Sequence, residues 1–318
     1  MALSRRPRLL VLRALGLGDL LTGVPALRAL RRARPDHELV LAAPSVLEPL
    51  ISLADVADRL VDTAGLDALA WSGAPPDLAV NLHGRGPQSH RLLQGLQPLS
   101  LVAFDGPAVD HRGPTWDDDE HEVRRWCRLV SESLGVTSDP LDLGLRLPST
   151  PAPAPGAVVV HPGAAYPSRR WPPERYAQVV RALVSAGHDV VVTGGPDEVS
   201  LAREVATGAG LAPDRVLAGR TDLRQLAAQV ASARLVVCGD TGVAHLATAF
   251  GTPSVLLFGP MPPSRWGPLS DGPHAVLWHG SGVGDPWGDE VDPALLRVDV
   301  DEVVEQAFTQ LRPTASVG

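Results

Sequence analysis

Short apolar runs, rich in β-branched residues and closed by glycine-bearing turns, alternate along this chain with segments whose apolar positions recur at helical spacing. That alternation constrains the fold more than any other feature. Such runs are buried on both faces, and successive parallel strands need a crossover, usually a helix. "RLLVLRA" (Arg8 to Ala14), "ELVLAAP", "DLAVNLHG" (Asp77 to Gly84) and "LSLVAFD" (Leu99 to Asp105) read as strands. "LLTGVPALRALRRARP" and "DDDEHEVRRWCRLVSESLG" read as helices, the second ending near Gly135. The proline-rich "LPSTPAPAPG" (Leu147 to Gly156) suits neither a helix nor a central strand and reads as a stiff linker. Beyond it the alternation restarts: "AVVVHPG", the helix "PPERYAQVVRALVSAG", "DVVVTGG", a helix from Glu198, "RVLAG", a helix from Asp222, "RLVVC", "VAHLATAF" and "SVLLFG". The expectation is an α/β chain of two parallel domains, residues 1–150 and 151–318, facing across a cleft, with ligands beyond the carboxyl ends of the strands.

With 318 residues and 44% hydrophobic content, the chain can bury two cores. Its net charge of −8 argues against a nucleic-acid partner, so any anion site must be local. Cys127 and Cys238 give neither a disulfide framework nor a metal-finger spacing, which suits a reducing, cytoplasmic setting. The start, "MALSRRPRLLVLRALG", is basic, but its apolar stretch is short and broken by Arg13, so no signal peptide is expected. No apolar run approaches the roughly 20 residues that span a bilayer. The chain contains no lysine.

The last crossover, "CGDTGVAHLATAFGTPSVLLFGP" (Cys238 to Pro260), puts Asp240, Thr241 and Gly242 at a strand's carboxyl end, with His245 on the first turn of the helix that follows. Helix N-termini offer unpaired N–H groups and a positive dipole end, which favour an anion. Taken alone, the turn is better read as a cap by Asp240 or Thr241 with His245 packing, so other segments must decide. "HPGAAYPSRRWPPERYAQ" adds Arg169 and Arg170, whose guanidiniums suit a diphosphate. In "VVTGGPDEVS", Glu198 stands either to cap a helix or to bind ribose hydroxyls.

The first loop, "ALGLGDLLTG", lacks a dinucleotide fingerprint, since Leu21 takes the third glycine's place and no acid ends the second strand. A dehydrogenase is therefore disfavoured. Asp19 in this loop is either an N-cap, the reading the loop alone favours, or an ionised carboxylate able to accept a proton. "DDDEHE" (Asp117 to Glu122) has a carboxylate density that divalent metals favour, but it directly precedes a helix, where acids complement the dipole. The helix-start reading is preferred, and no metal or other cofactor is assigned.

These segments resemble a known family: the ADP-heptose, lipopolysaccharide heptosyltransferase-like glycosyltransferases, family nine. The resemblance rests on "GLGDLLTGVPALRALRRARPD", "HPGAAYPSRRWPPERYAQV", "TGGPDE", "GDTGVAHLATAFGTPSVLLFGPMPPSRWGP" and "DPALLRVDVDEVV". It implies the GT-B fold of two Rossmann-like domains, an acceptor-binding first and a donor-binding second, with the last helix packing back on the first. It implies a nucleoside-diphosphate sugar donor held by Arg169, Asp240, Thr241, Gly242, His245 and Glu198. Where the family commonly has Lys, two residues before Trp-Pro, this chain has Arg169. Asp19 takes the role of catalytic base in an inverting, metal-independent transfer to a glycan or glycolipid hydroxyl, with Gly18, His83 and His121 as acceptor-side candidates. The implied setting is cytoplasmic, peripheral at the inner face of the membrane. A GT-B-fold nucleotide-sugar epimerase and a non-catalytic nucleotide-sugar-binding protein remain the alternatives.

Overall fold

The computed structural model describes residues 6–269 and 272–312; the first five residues of the basic start lie outside them. The chain divides into two compact units, Met1–Leu143 and Gly144–Gly318. The first runs β1 (Arg8–Leu12), α1 (Leu17–Ala33), β2 (Glu38–Ala43), α2 (Glu48–Ala54), β3 (Arg59–Asp62), β4 (Leu78–Asn81), α3 (Gln88–Gln94), β5 (Leu101–Val102) and α4 (Glu122–Leu134). Its five strands are all parallel, in the order β3-β2-β1-β4-β5. Leu9, Leu10, Val11 and Leu12 of the central strand are wholly buried, as two-sided cover of a parallel sheet requires. Strand order reverses beside β1, where Leu12 pairs with Asn81 of β4. The loops after these two strands therefore diverge and leave a crevice at their carboxyl ends.

The second unit repeats the logic with a different order. It contains β6 (Val158–His161), α5 (Pro173–Ser185), β7 (Val190–Val192), α6 (Val199–Ala209), α7 (Leu223–Ala231), β8 (Leu235–Gly239), α8 (Gly242–Phe250) and β9 (Ser254–Phe258). After these come α9 (Pro263–Trp266), β10 (His274–Trp278), α10 (Pro293–Leu296) and α11 (Val300–Leu311). Its sheet, also all parallel, runs β10-β9-β8-β6-β7, so the reversal lies between β6 and β8. The core joins the strand valines to the inner faces of α5, α6 and α11. Each such side chain stabilises by roughly 1.5–3 kcal/mol on burial.

Several expectations are adjusted. The helix read from Asp117 begins at Glu122, with the acidic run in front of it. "RVLAG" contributes only a single bridge, Val192 to Val216, and is not a strand. The edge strands β3 and β10 and the helices α2 and α3 add to the pattern read from the sequence. The end of the proline-rich segment is tied down: Ala154 exchanges two 2.8 Å hydrogen bonds with the Gln229 side chain. Val303, Ala307 and Leu311 of the last helix lie in the core of the second unit.

Gly251 ends α8 in the left-handed conformation, at φ +65°. A side chain there is strained by about 1–2 kcal/mol. Gly251→Ala is expected to lower the melting temperature by that measure, read by calorimetry, with α8 otherwise intact.

Candidate active site

In the first unit, Arg13 continues β1 and is wholly buried. Its Nε donates to the Asp19 carbonyl at 2.5 Å, Nη1 to the Leu82 carbonyl, and Nη2 to Thr22 Oγ1 at 2.9 Å. Nη2 also lies 3.3 Å from Glu122 Oε1. Asp19 is not the N-cap. Gly16 holds that place, and Asp19, third in α1, reaches back so that Oδ2 accepts the Gly16 N–H at 3.2 Å. The first turn was expected to hold this carboxylate ionised. Burial pushes its pKa up and Glu122 adds to that, against the lowering pull of Arg13 and of the Gly16 N–H. A carboxylate held in this way is a stronger proton acceptor than an exposed one.

Gly18 precedes Asp19 in the same turn. His83 follows β4, its N–H donating to Asn81 Oδ1 at 3.0 Å, while its Nδ1 finds no hydrogen-bond partner among the described residues. Burial, then the Arg13 charge, lowers the His83 pKa to about 4, so the ring is neutral. Asp19 and His83 thus share the crevice beside β1. His121 opens α4. Its Nδ1 accepts the Val123 N–H at 3.2 Å and caps α4. The acidic run turns onto the protein itself: Asp117 accepts the Asp119 N–H, Asp118 the Trp116 indole N–H, and Glu120 pairs with Arg128 at 2.9 Å.

In the second unit the reversal between β6 and β8 gathers most of the donor-side candidates. The Asp240 N–H donates to the Leu257 carbonyl at 3.1 Å, which seats the turn at the end of β8. Arg169 lies against this turn: its Nη1 is 3.8 Å from Asp240 Oδ2, its Nε donates to the Pro286 carbonyl at 3.2 Å, and its own carbonyl would meet any Cβ on Gly239 at 3.1 Å. At that distance and partial exposure the ion pair gives at most about 1 kcal/mol, so its effect is to aim the guanidinium. Arg170 turns away and holds the Ala164 carbonyl, so the expected pair of guanidiniums is reduced to one. Thr241 is the N-cap residue of α8, yet its side chain makes no capping bond. His245 packs edge-on to Trp266, with ring centroids 5.9 Å apart.

Glu198 follows β7. Its Oε2 accepts the Gly195 N–H at 2.7 Å and stands 3.8 Å from His161 Nε2. The capping alternative therefore describes one of its oxygens. A Cβ on Gly163 would fall 2.0 Å from the other, so only glycine admits the carboxylate there. His161 was missed at the sequence level. It ends β6 buried, in contact with Thr193 Oγ1 at 3.0 Å, and burial lowers its pKa despite Glu198. Arg13 and Glu122 were missed as well, although an arginine closing an apolar strand was the available signal.

The glycosyltransferase family 9 (heptosyltransferase) model matches residues 109–281, more than half of the chain. Over 165 residues the chain is 31% identical to lipopolysaccharide heptosyltransferase 3 of Escherichia coli, covering 51% of this chain and 48% of that one. The chain thus spans about half the length of that relative. The solved family 9 glycosyltransferase of Veillonella parvula matches with a TM-score of 0.79 at 22% identity over 98% of each chain. The ADP-heptose lipopolysaccharide heptosyltransferase II of Escherichia coli matches with a TM-score of 0.77 at 20% identity, over 96% of this chain and 98% of that one. The shared architecture is the GT-B fold.

His83 carries a pH prediction. Between pH 6.5 and about 4 the unfolded chain takes up a proton that the folded chain refuses at this residue, so folding stability falls on acidification through that window. His83→Gln is expected to flatten part of that fall in a series of melting curves. A curve unchanged from wild type would place His83 in solvent.

Proposed function

The chain belongs to glycosyltransferase family 9, and from that premise we propose that it is an inverting, metal-independent glycosyltransferase. It moves a heptose-like sugar from a nucleoside diphosphate, of the ADP-heptose kind, to a glycan or glycolipid hydroxyl. The observation that carries the reading is Arg169 beside the Asp240-Thr241-Gly242 turn, at the positive end of α8. Backbone N–H groups of that first turn and the guanidinium offer hydrogen bonds to a diphosphate, and each charge-assisted bond contributes about 1.5–3 kcal/mol. The name of the solved Escherichia coli relative supports ADP-heptose as the donor class. Glu198 is assigned to the ribose hydroxyls through the oxygen not engaged with Gly195.

In the proposed reaction, Asp19 takes the proton of the acceptor hydroxyl as that oxygen bonds to the anomeric carbon, and the bond to the diphosphate oxygen breaks. The electron pair stays with the departing diphosphate. Its charge is met by α8, Arg169 and His245, which supports catalysis without a metal. The raised pKa of Asp19 and the neutral ring of His83 suit proton acceptance. No helix among the described residues is long and apolar enough to cross a membrane. A glycolipid acceptor would bring the enzyme to the inner membrane face as a peripheral protein, which belongs to the same proposal.

ADP alone is expected to raise the melting temperature, since a ligand at a hundredfold excess over Kd stabilises by about 2.7 kcal/mol. Arg169→Ala and His245→Ala should each diminish that shift, and wild-type shifts in both would put the phosphates elsewhere. Asp19→Asn keeps the shape but removes the base. It should lower kcat by roughly 10²–10⁴ with ADP binding unchanged and with wild-type turnover insensitive to EDTA. Product analysis showing an isomerised sugar nucleotide and no transfer would favour an epimerase.

A further inference from the structure

A buried arginine next to a catalytic carboxylate presents a difficulty. Arg13 is close enough to Asp19 to stabilise its charged form and so to weaken it as a base. The arginine is nevertheless built in with care. Every nitrogen of its guanidinium is engaged, its Cζ lies 4.8 Å from the centroid of the Trp126 ring, and Gly23 lacks the Cβ that would come within 2.8 Å of Nε. Thr22 Oγ1 donates to the same Asp19 carbonyl at 2.9 Å, so Arg13 and Thr22 together clamp the turn that carries the base.

The counterweight is Glu122. Its Oε1 accepts from Trp126 Nε1 at 2.6 Å and faces Arg13 at 3.3 Å, and its Oε2 pairs with Arg125. Arg125 in turn grips the carbonyls of Asp117 and Glu120 at 2.9 and 2.8 Å and lies 4.3 Å from the centroid of Trp116. One carboxylate, itself buried, thus bridges two buried guanidiniums. A buried ion pair adds little stability over apolar packing of the same volume, so stability alone does not account for this arrangement.

We propose that Glu122 is a positioning residue for Asp19: paired with Arg13, it offsets the cation that clamps the turn carrying the base. The proposal rests on Asp19 being the base. The charges that act on Asp19 are Arg13 at the end of β1 and Glu122 on α4; Arg125 is paired with Glu122, and His83 after β4, which Arg13 and burial keep neutral above about pH 4, follows the neighbouring strand. Against Arg13, the group that pushes Asp19 toward the protonated form by charge is Glu122.

The test is the titration of Asp19 itself, read by carboxyl ¹³C NMR on aspartate-labelled protein, with the resonance assigned by its loss in Asp19→Asn. Glu122→Gln preserves the acceptor for Trp126 but removes the charge, and it should move the Asp19 midpoint and the acid limb of kcat to lower pH. Arg125→Met removes the far cation and should move both upward. Whichever variant folds decides, and a midpoint equal to wild type in a folded variant overturns the proposal even if melting drops. The midpoint is read without substrate. An absence of sugar transfer by wild type would therefore defeat the functional reading while leaving this measurement intact.

Discussion

Parallel pairing is the constraint on which both units depend. A strand that pairs parallel to its neighbour cannot be reached by a hairpin, so each connection is carried by a crossover, and a sheet that grows in two directions starts twice from its middle. In the first unit that middle is β1 with β4, and in the second it is β6 with β8. At both places the loops leave in opposite directions, and side chains there escape the apolar rule that governs the strands. Arg13, Asp19 and His83 occupy the first opening; His161, Arg169 and Asp240 occupy the second.

The two openings are tuned in opposite senses. Around Asp19 the protein withdraws water and offsets a cation with an anion, which favours the protonated carboxyl and makes the ionised form a capable acceptor. Around Asp240 it leaves a helix N-terminus without a side-chain cap and aims a guanidinium across the turn. His83 after β4 and His161 at the end of β6 are both held toward neutrality by burial. A chain of net charge −8 can therefore present a local site for an anion, because the field that matters acts over a few ångströms.

Much of this was legible in the sequence. "RLVVC" followed by Asp-Thr-Gly predicts a buried strand, a turn at its carboxyl end and the start of a helix, and these are β8, Asp240–Gly242 and α8. Asp19 on the first turn of α1, and Arg169 and Glu198 in the short turns after β6 and β7, have positions that follow from the same alternation. The short edge elements were not legible: β3 and β10 carry partly exposed residues, and their pairing needs a neighbour that local pattern does not reveal. Nor was the destination of long polar side chains. Arg169 and Arg170 are adjacent, with the same local propensity, yet one faces Asp240 and the other holds Ala164.

Residue order alone thus determined the α/β class, the repetition of the strand–helix pattern and the turns that carry polar groups, because hydrophobic period and turn chemistry are local properties. Tertiary structure alone decided which charges meet. Glu122 is separated from Arg13 by 109 positions and reaches it only because α4 packs on α1 beside the end of β1. That contact, with burial, sets the character of Asp19. His121, read as a candidate to meet substrate, accepts the N–H of Val123 through Nδ1 and caps α4. The physical reason is one of range: propensity is set by neighbours in the chain, whereas desolvation and charge pairing are set by neighbours in space.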